Sequence, residues 1–423
     1  MSTTAALSDI TNDATPTTTG VSAESQHCDR MLTLAKIDPT TVHPDTQRLV
    51  FECPLLSEDY RVIQLDDHCV QHIEQGGTIA FRGESSEEPV LCTSDRTYVV
   101  KEAEMSNSIL LLPQCRASEQ LNPSDDGRRT VTEQKVVGMR SNYYELRPRP
   151  HCSSAALREL LEHDAVYAGP ATQEDDSAKT GFTVDQLLQV VQMSEAELLA
   201  CLDALPTCEI DGHYRWLDFD YRARFVSDFI DLLDDTANTS SENSFSIGHI
   251  TLAALHERIS LECYPTPVCV KMLRMLCDPI NSDDQDSGDS NAEQVYRLNA
   301  RSVCRMLAEV LLRPTKRFAF ADFMKVWNEC APVGITPNIE HLKGLALIHE
   351  DVSAKTVEYF PAGELPDAID KRLQCLFARR SRWPYDELSA YLSDVTDEKQ
   401  IGALVAKHCR SAVVDGLKWY NLR

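Results

Sequence analysis

The chain has 423 residues, of which 43% are hydrophobic and 25% charged, and its formal net charge is −25. This length predicts two to four domains with sizeable hydrophobic cores. The acidic excess argues against a generic nucleic-acid coat or a protein of anionic membranes, because the average field repels phosphate. Apolar runs are shorter than the about 18 residues that a membrane helix needs. We therefore expect a soluble globular protein, in which a local basic surface can still exist.

Residues 1–27 are predicted to be a disordered polar tail. Residues 1–26 contain eleven Ser/Thr and no Lys or Arg, which fits neither a secretory signal nor an Arg-rich transit peptide. Fifteen cysteines are scattered from Cys28 to Cys409 without a Cys-x-x-Cys pair. This usage indicates buried thiols in a reducing, intracellular compartment rather than a disulfide framework or a structural zinc site.

Residues 28–150 are predicted to form a β domain. Short apolar runs of strand length follow one another at 60–65, 78–81, 89–92, 97–100, 109–112 and 136–137. Closely spaced short strands are typical of a small barrel or sandwich. One helical insert is expected at 66–75, because Asp residues precede it and Gly76 follows it.

After Pro150 the apolar period becomes helical, and residues 151–235 are predicted to be a first winged helix. Apolar stripes lie within 157–161, 184–191 and 198–205, and Ser194 with Glu197 forms a capping box before the third stripe. Asp211-Gly212 then joins two extended arms, since this dipeptide supplies the positive φ angles of a type I′ turn. Three helices and a hairpin make a winged helix, a relative of the helix-turn-helix.

The same order of elements recurs twice. Residues 367–423 are predicted to be a third winged helix, whose three apolar stripes precede an Asp415-Gly416 hairpin. Residues 246–366 form a looser second unit with hairpin arms at 345–349 and 356–360. The polar segment 234–246 leads into this unit, and we interpret it as a linker. Residues 281–293 lie inside the unit, and we interpret them as an acidic insert. The predicted fold class is α+β, a partial β-barrel followed by three tandem winged helices.

Motifs for catalysis are missing from the sequence. It contains no phosphate-binding loop, no Gly-x-Gly-x-x-Gly after a strand and no serine-hydrolase elbow. His68 and His72 share one face of the predicted helix, but a metal site needs further ligands, so surface histidines are the simpler interpretation. A Cys–His catalytic pair stays open because so many Cys and His residues are present. We predict no catalytic residue, no metal and no cofactor.

Four segments resemble the sister-chromatid-cohesion DCC family. They are GMRSNYYELR at 138–147, GHYRW at 212–216 with FDY at 219–221, HLKGLAL at 341–347, and the segment from QIGAL at 400–404 to Asn421. The likeness runs from about residue 50 to the end and leaves out the Ser/Thr tail and the acidic insert. This family supplies a non-ATPase subunit of the cohesion-type alternative clamp loader, an RFC-like complex.

The resemblance implies a nuclear scaffold without enzymatic activity that supports sister chromatid cohesion at replication forks. The β half would be a partial barrel, completed by a small β subunit and by the tail of the loader's large ATPase subunit. The winged helices would touch DNA and the catalytic subunit of DNA polymerase epsilon. The sliding clamp would be an indirect partner, and no membrane is involved.

Local charge places the expected DNA contact in the last unit. Residues 367–423 contain ten Lys/Arg and eight Asp/Glu, whereas the other 366 residues contain 31 and 58. Lys399, Lys407 and Arg410 share one face of a helix predicted at 399–410, opposite an apolar face, as a groove-binding helix requires. The alternative is a solvated face on a helix that only packs. Further candidate contacts for weak DNA binding are Lys418, Arg423, Arg379 and Arg380.

Other interpretations also stay open. We expect Trp419 and Tyr420 in the core of the last hairpin, the alternative being a platform on which bases stack. For the whole chain the alternatives are a winged-helix transcription regulator, a chromatin scaffold or a cysteine-dependent enzyme. A net charge of +2 over residues 367–423 is low for a sequence-specific DNA reader.

Overall fold

The computed structural model describes residues 21–43, 45–51, 53, 59–85, 87–117, 130–149, 154–170, 181–238, 245–280, 294–350, 354–396, 398–414 and 416–423. They divide into a first unit, made chiefly of residues up to 148, and a second unit, made of residues from 149 onward with the short segments 82–84 and 94–97. The architecture is mixed α+β and includes a sheet curled into a half barrel. None of the helices in the described ranges is both long and apolar enough to cross a membrane.

The first unit begins with helix α1 (Val21–Leu34), so residues 21–27 of the predicted tail are helical and residues 1–20 lie outside the described chain. Helix α2 lies between the second and third strands and spans Asp67–Glu74. The strands are β1 (Asp45–Phe51), β2 (Ile63–Gln64), β3 (Ala80–Arg82), β4 (Val90–Cys92), β5 (Thr97–Leu111), β6 (Thr130–Val136) and β7 (Gly138–Pro148).

These strands form two sheets. Five of them make a sheet of order β2-β7-β5-β4-β3, while β1 pairs in parallel with β6 in a separate two-stranded sheet. The two apolar runs at 97–100 and 109–112 belong to one long strand, β5, whose register against β7 shifts between Glu104 and Ile109. Local patterning thus located β2 to β5, but it missed β1 and β7, met β6 only at its last residue and did not show that two runs form one strand.

The helix predicted at 66–75 is confirmed as α2. Asp66 caps it, since its Oδ1 accepts a hydrogen bond from the Cys69 N–H at 2.8 Å. Cys69 packs with Leu91 and Tyr98 in the buried cluster of this unit. Along β5, only Thr97 and Tyr98 are fully buried, so most of this long strand is half-buried or exposed.

In its described residues, the second unit contains the same set of elements four times, and we call each set a repeat. A repeat has a first helix, a short strand, a second and a third helix, and then two more strands. In every repeat the short strand pairs with the last strand, which lies in the middle of a three-stranded sheet.

Repeat 1 consists of α3 (Ala155–Asp164), β8 (Val166–Tyr167), α4 (Val184–Val190), α5 (Glu195–Ala204), β9 (Thr207–Ile210) and β10 (His213–Leu217). Repeat 2 consists of α6 (Phe219–Asn238), β11 (Ile250–Thr251), α7 (Leu252–His256), α8 (Thr266–Leu276), β12 (Cys277–Pro279) and β13 (Val295–Leu298). Repeat 3 consists of α9 (Ala300–Thr315), β14 (Arg317–Ala319), α10 (Phe320–Cys330), a 3-10 helix (Ile339–Leu342), β15 (Ala346–Glu350) and β16 (Lys355–Tyr359). Repeat 4 consists of α11 (Ile369–Arg379), β17 (Trp383–Pro384), α12 (Tyr385–Ala390), α13 (Glu398–His408), β18 (Cys409–Val414) and β19 (Leu417–Leu422).

We expect one unit over 246–366 from the sequence, but the structure has two sheets in this range. The overlooked hairpin is β12–β13, whose strands pair from Cys277 with Leu298 to Pro279 with Tyr296. The acidic insert 281–293, itself outside the described residues, separates these two strands in the chain and replaces the short turn that marks a hairpin. The first helix of this repeat, α6, also covers the start of the predicted linker.

The hairpin of repeat 1 is confirmed at its turn. Asp211 and Gly212 have φ angles of 54° and 76°, as the type I′ turn requires. In repeat 4, Gly416 has a φ of 79°, while Asp415 lies outside the described residues. The Asp-Gly signal therefore located both hairpins correctly.

Candidate nucleic-acid interface

In three-helix variants of the helix-turn-helix, the third helix is the one that enters the DNA groove. In repeat 2 this helix, α8, packs against β9 and the end of α5 in repeat 1. Lys271 donates from Nζ to the carbonyl oxygens of Leu202, at 3.2 Å, and Asp203, and Arg274 Nη1 lies 3.5 Å from Asp203 Oδ1. Burial lowers the pKa of Lys271. Helix α8 is therefore packed between repeats 1 and 2, and its contacting face is not a free surface.

The third helices of repeats 1 and 3 also lack a basic exposed face. In α5 the exposed side chains include Glu195, Leu199 and Asp203. In repeat 3 the equivalent element is the short 3-10 helix, which Arg305 of α9 holds by donating to the carbonyl oxygens of His341 and Lys343 at 2.8 and 2.6 Å. Neither helix offers the combination of length and positive charge that phosphate contact needs.

In repeat 4, α13 has the two faces that we predict from the sequence. Lys399 and Lys407 are exposed on one face, while Ile401 and Val405 are buried on the other. The helix ends at His408, two residues before the predicted end. Arg423 caps this end, since its Nη2 donates to the Ala406 carbonyl oxygen at 2.9 Å and its Nε to that of Cys409 at 3.3 Å.

The earlier helix end changes the position of Arg410. This residue lies in strand β18, opposite Asn421 of β19, and not on the face of α13 that carries Lys399 and Lys407. Helical spacing therefore does not apply to it. Lys399 and Lys407 therefore lie on α13, whereas Arg410 and Lys418 lie in the sheet of repeat 4.

Two further candidate cations are engaged within the chain. The Arg379 guanidinium forms an ion pair with Glu358 of β16, whose other carboxylate oxygen lies 2.8 Å from His349 Nε2. Arg380 pairs with Glu387, and its guanidinium carbon lies 4.1 Å from the centre of the Trp383 ring. These pairs favour a structural role for both arginines, joining repeats 3 and 4 and packing the core of repeat 4.

The aromatic pair in the last strand divides between two faces. Tyr420 packs at the edge of the repeat 4 core, as expected, and the Lys418 Nζ lies 5.3 Å from the centre of its ring. Trp419 is half-buried, is not among the residues that pack into that core, and has the Arg382 guanidinium 5.8 Å from its ring centre. The expectation of a core position therefore holds for Tyr420 and is wrong for Trp419.

Within the described residues, one group places three potential metal ligands within 4.8 Å of one another, namely Asp66, His68 and Cys69. The Asp66 carboxylate is the helix cap, and His68 Nδ1 lies 3.1 Å from the Tyr98 hydroxyl. The positive end of α2 also disfavours a cation at this place. His72 contacts the Thr78 carbonyl instead, at 3.0 Å. We interpret the group as a helix-capping network.

The buried cysteines have the properties of structural thiols. Burial raises the pKa of Cys208, Cys269 and Cys304 to about 11 and that of Cys277 to about 12. A catalytic cysteine needs the opposite shift, toward a thiolate at neutral pH. These four residues therefore offer no support for a cysteine-dependent enzyme.

The comparisons with known proteins agree with the motifs. The family model described as sister chromatid cohesion protein Dcc1 matches residues 60–392. The mouse sister chromatid cohesion protein DCC1 is 31% identical over 405 residues, which cover 94% of this chain and 96% of the mouse protein. The Xenopus tropicalis protein of that name is 30% identical over 416 residues, covering 95% and 99%. A probable sister chromatid cohesion protein DCC1 of Dictyostelium discoideum is 24% identical over 361 residues, covering 82% and 89%. The chain belongs to the Dcc1 family of sister chromatid cohesion proteins.

Proposed function

We propose that the chain is a non-catalytic scaffold subunit of a cohesion-type alternative clamp loader in the nucleus. Its first unit would join the large ATPase subunit and a small β subunit of the loader. Its repeats would act as winged helices that contact DNA and the catalytic subunit of DNA polymerase epsilon. In this role the chain would help to load or unload the sliding clamp at replication forks. Its membership of the Dcc1 family of sister chromatid cohesion proteins supports the proposal.

The observation that carries the proposal is the apolar surface that β1 exposes among the described residues of the first unit. β1 and β6 form a parallel pair over the whole of Asp45–Phe51, and the Leu49 and Phe51 side chains are 46% and 55% exposed. Parallel sheets are normally covered on both faces, and two strands alone are marginally stable. Strands from a partner would cover these side chains and pair with the sheet edge.

The repeats support a winged-helix assignment, with four units in place of the three expected. Each follows the order helix, strand, helix, helix, strand, strand. The distribution of charge also differs from the expected contrast between residues 367–423 and the rest of the chain. Residues 300–366 contain eight Lys/Arg and eight Asp/Glu and so carry no net charge either. Repeats 3 and 4 together therefore lack the acidic excess, and residues 1–299 carry all of it, with 23 basic and 50 acidic residues.

DNA contact by α13 predicts the behaviour of a charge-reversal variant. We expect Lys399→Glu with Lys407→Glu to weaken duplex binding and to reduce the slope of log affinity against log salt by about 2, one for each lost phosphate contact. The measurement is fluorescence anisotropy with a labelled duplex at several salt concentrations.

The matched control is Lys325→Glu with Lys371→Glu, which changes the net charge equally at exposed positions of α10 and α11. This variant should keep most of the wild-type salt slope. Equal weakening by both variants would mean that only net charge matters, and α13 would then not be the contact helix.

A further inference from the structure

A cleft of about 660 Å³ lies beside α6, where repeats 1 and 2 meet. Its walls are α6, the connection between α7 and α8, and the residues that follow β8. The apolar part of its lining includes Leu232 of α6 together with Ile259 and Tyr264 of the connection. The volume is within the ~300–1,000 Å³ that is usual for ligand pockets. We call this feature the α6 cleft.

Hydrogen bonds fasten the two walls of the α6 cleft to each other. The Tyr264 hydroxyl donates to Asp228 Oδ2 at 2.7 Å, and the Tyr221 hydroxyl donates to the Cys263 carbonyl oxygen at 2.7 Å. The centres of the two tyrosine rings lie 5.4 Å apart. Burial, together with the hydrogen bond to Asp228, raises the pKa of Tyr264, so the hydroxyl keeps its proton at neutral pH. The cleft is therefore formed before any ligand binds, which lowers the entropic cost of binding.

Carboxylates dominate the accessible charge of the cleft. Its charged lining residues are Arg224, Arg258, Asp228, Asp231 and Glu262. Arg258 is engaged within the chain, since its Nη1 donates to the Ala254 carbonyl oxygen at 2.8 Å and lies 3.6 Å from Glu257 Oε2. Arg224 donates from Nη2 to the Ala168 carbonyl oxygen at 3.3 Å, at one end of the cleft. Asp231 and Glu262 are exposed, and within the described residues neither has a hydrogen bond or an ion pair.

A second cleft, of about 590 Å³, lies between α8 and the hairpin of repeat 1 and shows the opposite arrangement. Its cations are Lys271 and Arg274, and both contact repeat 1, through the carbonyl oxygens at the end of α5 and through Asp203. The charges of this second cleft therefore hold the two repeats together. The carboxylates of Asp231 and Glu262 have no such structural role, and a cationic ligand is complementary to them.

The segments of the chain outside the described ranges are not complementary to the α6 cleft. Each of them has a net charge of zero or below, and residues 1–20 contain no Lys or Arg. A basic segment must therefore come from another protein. The cleft follows α6 from Tyr221 to Leu232, about 16 Å of helix. This length matches about five residues of an extended peptide.

We propose that the α6 cleft binds a short basic segment of a partner protein, with Lys or Arg side chains that pair with Asp231 and Glu262. The aliphatic stems of these side chains would lie on Leu232 and Ile259. The site shares no residue with α13 or with β1, so it stands independently of DNA contact by repeat 4 and of docking by the first unit.

The test uses the full chain and a fluorescein-labelled pentapeptide, Ala-Arg-Leu-Arg-Ala, with anisotropy to measure affinity and alkylation to locate the peptide. Cys263 is exposed and lines the cleft, while Cys330 and Cys375 are exposed outside it. At about ten times its dissociation constant, the peptide should slow iodoacetamide labelling of Cys263 by about tenfold, because most clefts are then occupied. Labelling of Cys330 and Cys375, followed by mass spectrometry in the same sample, should not change.

Two double variants separate the cleft from the net charge of the chain. Asp231→Asn with Glu262→Gln should weaken peptide binding roughly 2- to 30-fold, the effect of two lost ion pairs at exposed positions. The matched control is Asp322→Asn with Glu329→Gln, which removes the same two charges from exposed positions of α10. This control should keep both the affinity and the protection of Cys263. Thermal melting of each variant shows whether the chain stays folded.

Four results would overturn the proposal. The first is no binding of the peptide to the wild type at low salt, and the second is unchanged labelling of Cys263 once anisotropy shows saturation. The third is equal weakening by the two double variants, which would mean that only net charge matters. The fourth is equal protection of Cys263 by Ala-Glu-Leu-Glu-Ala, which would assign the cleft to an anionic ligand held by Arg224.

Discussion

Replacing Arg372 with methionine is expected to destabilise repeat 4 by about 3–5 kcal/mol, because it leaves several buried carbonyl oxygens without a hydrogen-bond donor. Arg372 lies in α11 and is 0% exposed. Its guanidinium pairs with both carboxylate oxygens of Asp394. It also donates to four backbone carbonyl oxygens, those of Pro366 at 2.8 Å, Tyr391 at 2.7 Å, Ala362 at 3.2 Å and Leu365 at 3.2 Å.

These contacts explain the large expected effect. The carbonyls at 362–366 belong to the segment that connects repeat 3 to repeat 4, so one side chain holds this connection against the last repeat. Methionine fills a similar space but donates no hydrogen bond, and the buried acceptors would be left without a partner. Lysine keeps the charge but not the planar fork, so Arg372→Lys should lose part of the stability.

Urea denaturation and limited proteolysis measure this effect. Arg372→Met should unfold at a lower urea concentration and be cleaved within 362–423 before the rest of the chain. The control is Lys371→Met, an exposed neighbour on the same helix, which should change the free energy of unfolding by less than about 0.5 kcal/mol. Equal stability of the two variants would show that the buried guanidinium does not hold the connection.

Replacing Leu49 and Phe51 with aspartate is expected to prevent assembly of the first unit with its partners. The two side chains share one face of β1 and are exposed in the chain alone, so its thermal midpoint should stay nearly unchanged. Burying both under partner strands would contribute about 3–6 kcal/mol, so their loss should weaken assembly by more than about a hundredfold.

The measurement is the dissociation constant for the two loader subunits, by co-purification and then titration. Val70→Asp with Ile73→Asp is a matched control, because this apolar pair on α2 is 39% and 37% exposed. The control should assemble like the wild type. Equal loss in both variants would mean that any new charge on this unit blocks assembly, and would remove β1 as the docking strand.

The parts of the fold that rest on local patterns were predictable. Asp66 and Gly76 bound α2, and the Asp-Gly dipeptides mark two hairpin turns because few other residues adopt their φ angles. The capping box at Ser194 and Glu197 is present at the start of α5. In each case a few adjacent residues determine the geometry.

The parts that depend on distant residues were not predictable. The pairing of β1 with β6 joins segments far apart in the chain, and an insert separates β12 from β13. In the candidate site, Lys399 and Lys407 were placed correctly from helical spacing. Arg410 was misplaced because the helix ends at a cap supplied by Arg423, the last residue. The position of Trp419 outside the core follows from the strand register of the repeat 4 sheet, which the spacing of residues along a helix cannot predict.

The most direct measurement of the central claim is hydrogen–deuterium exchange of the full chain, alone and after co-expression with the large ATPase subunit and the small β subunit. If partner strands complete the first unit, the three proteins will elute together at high salt, and exchange will slow in 45–51 and 130–136. If the chain elutes alone, or if exchange in these two strands is the same with and without the partners, the first unit is not the docking element.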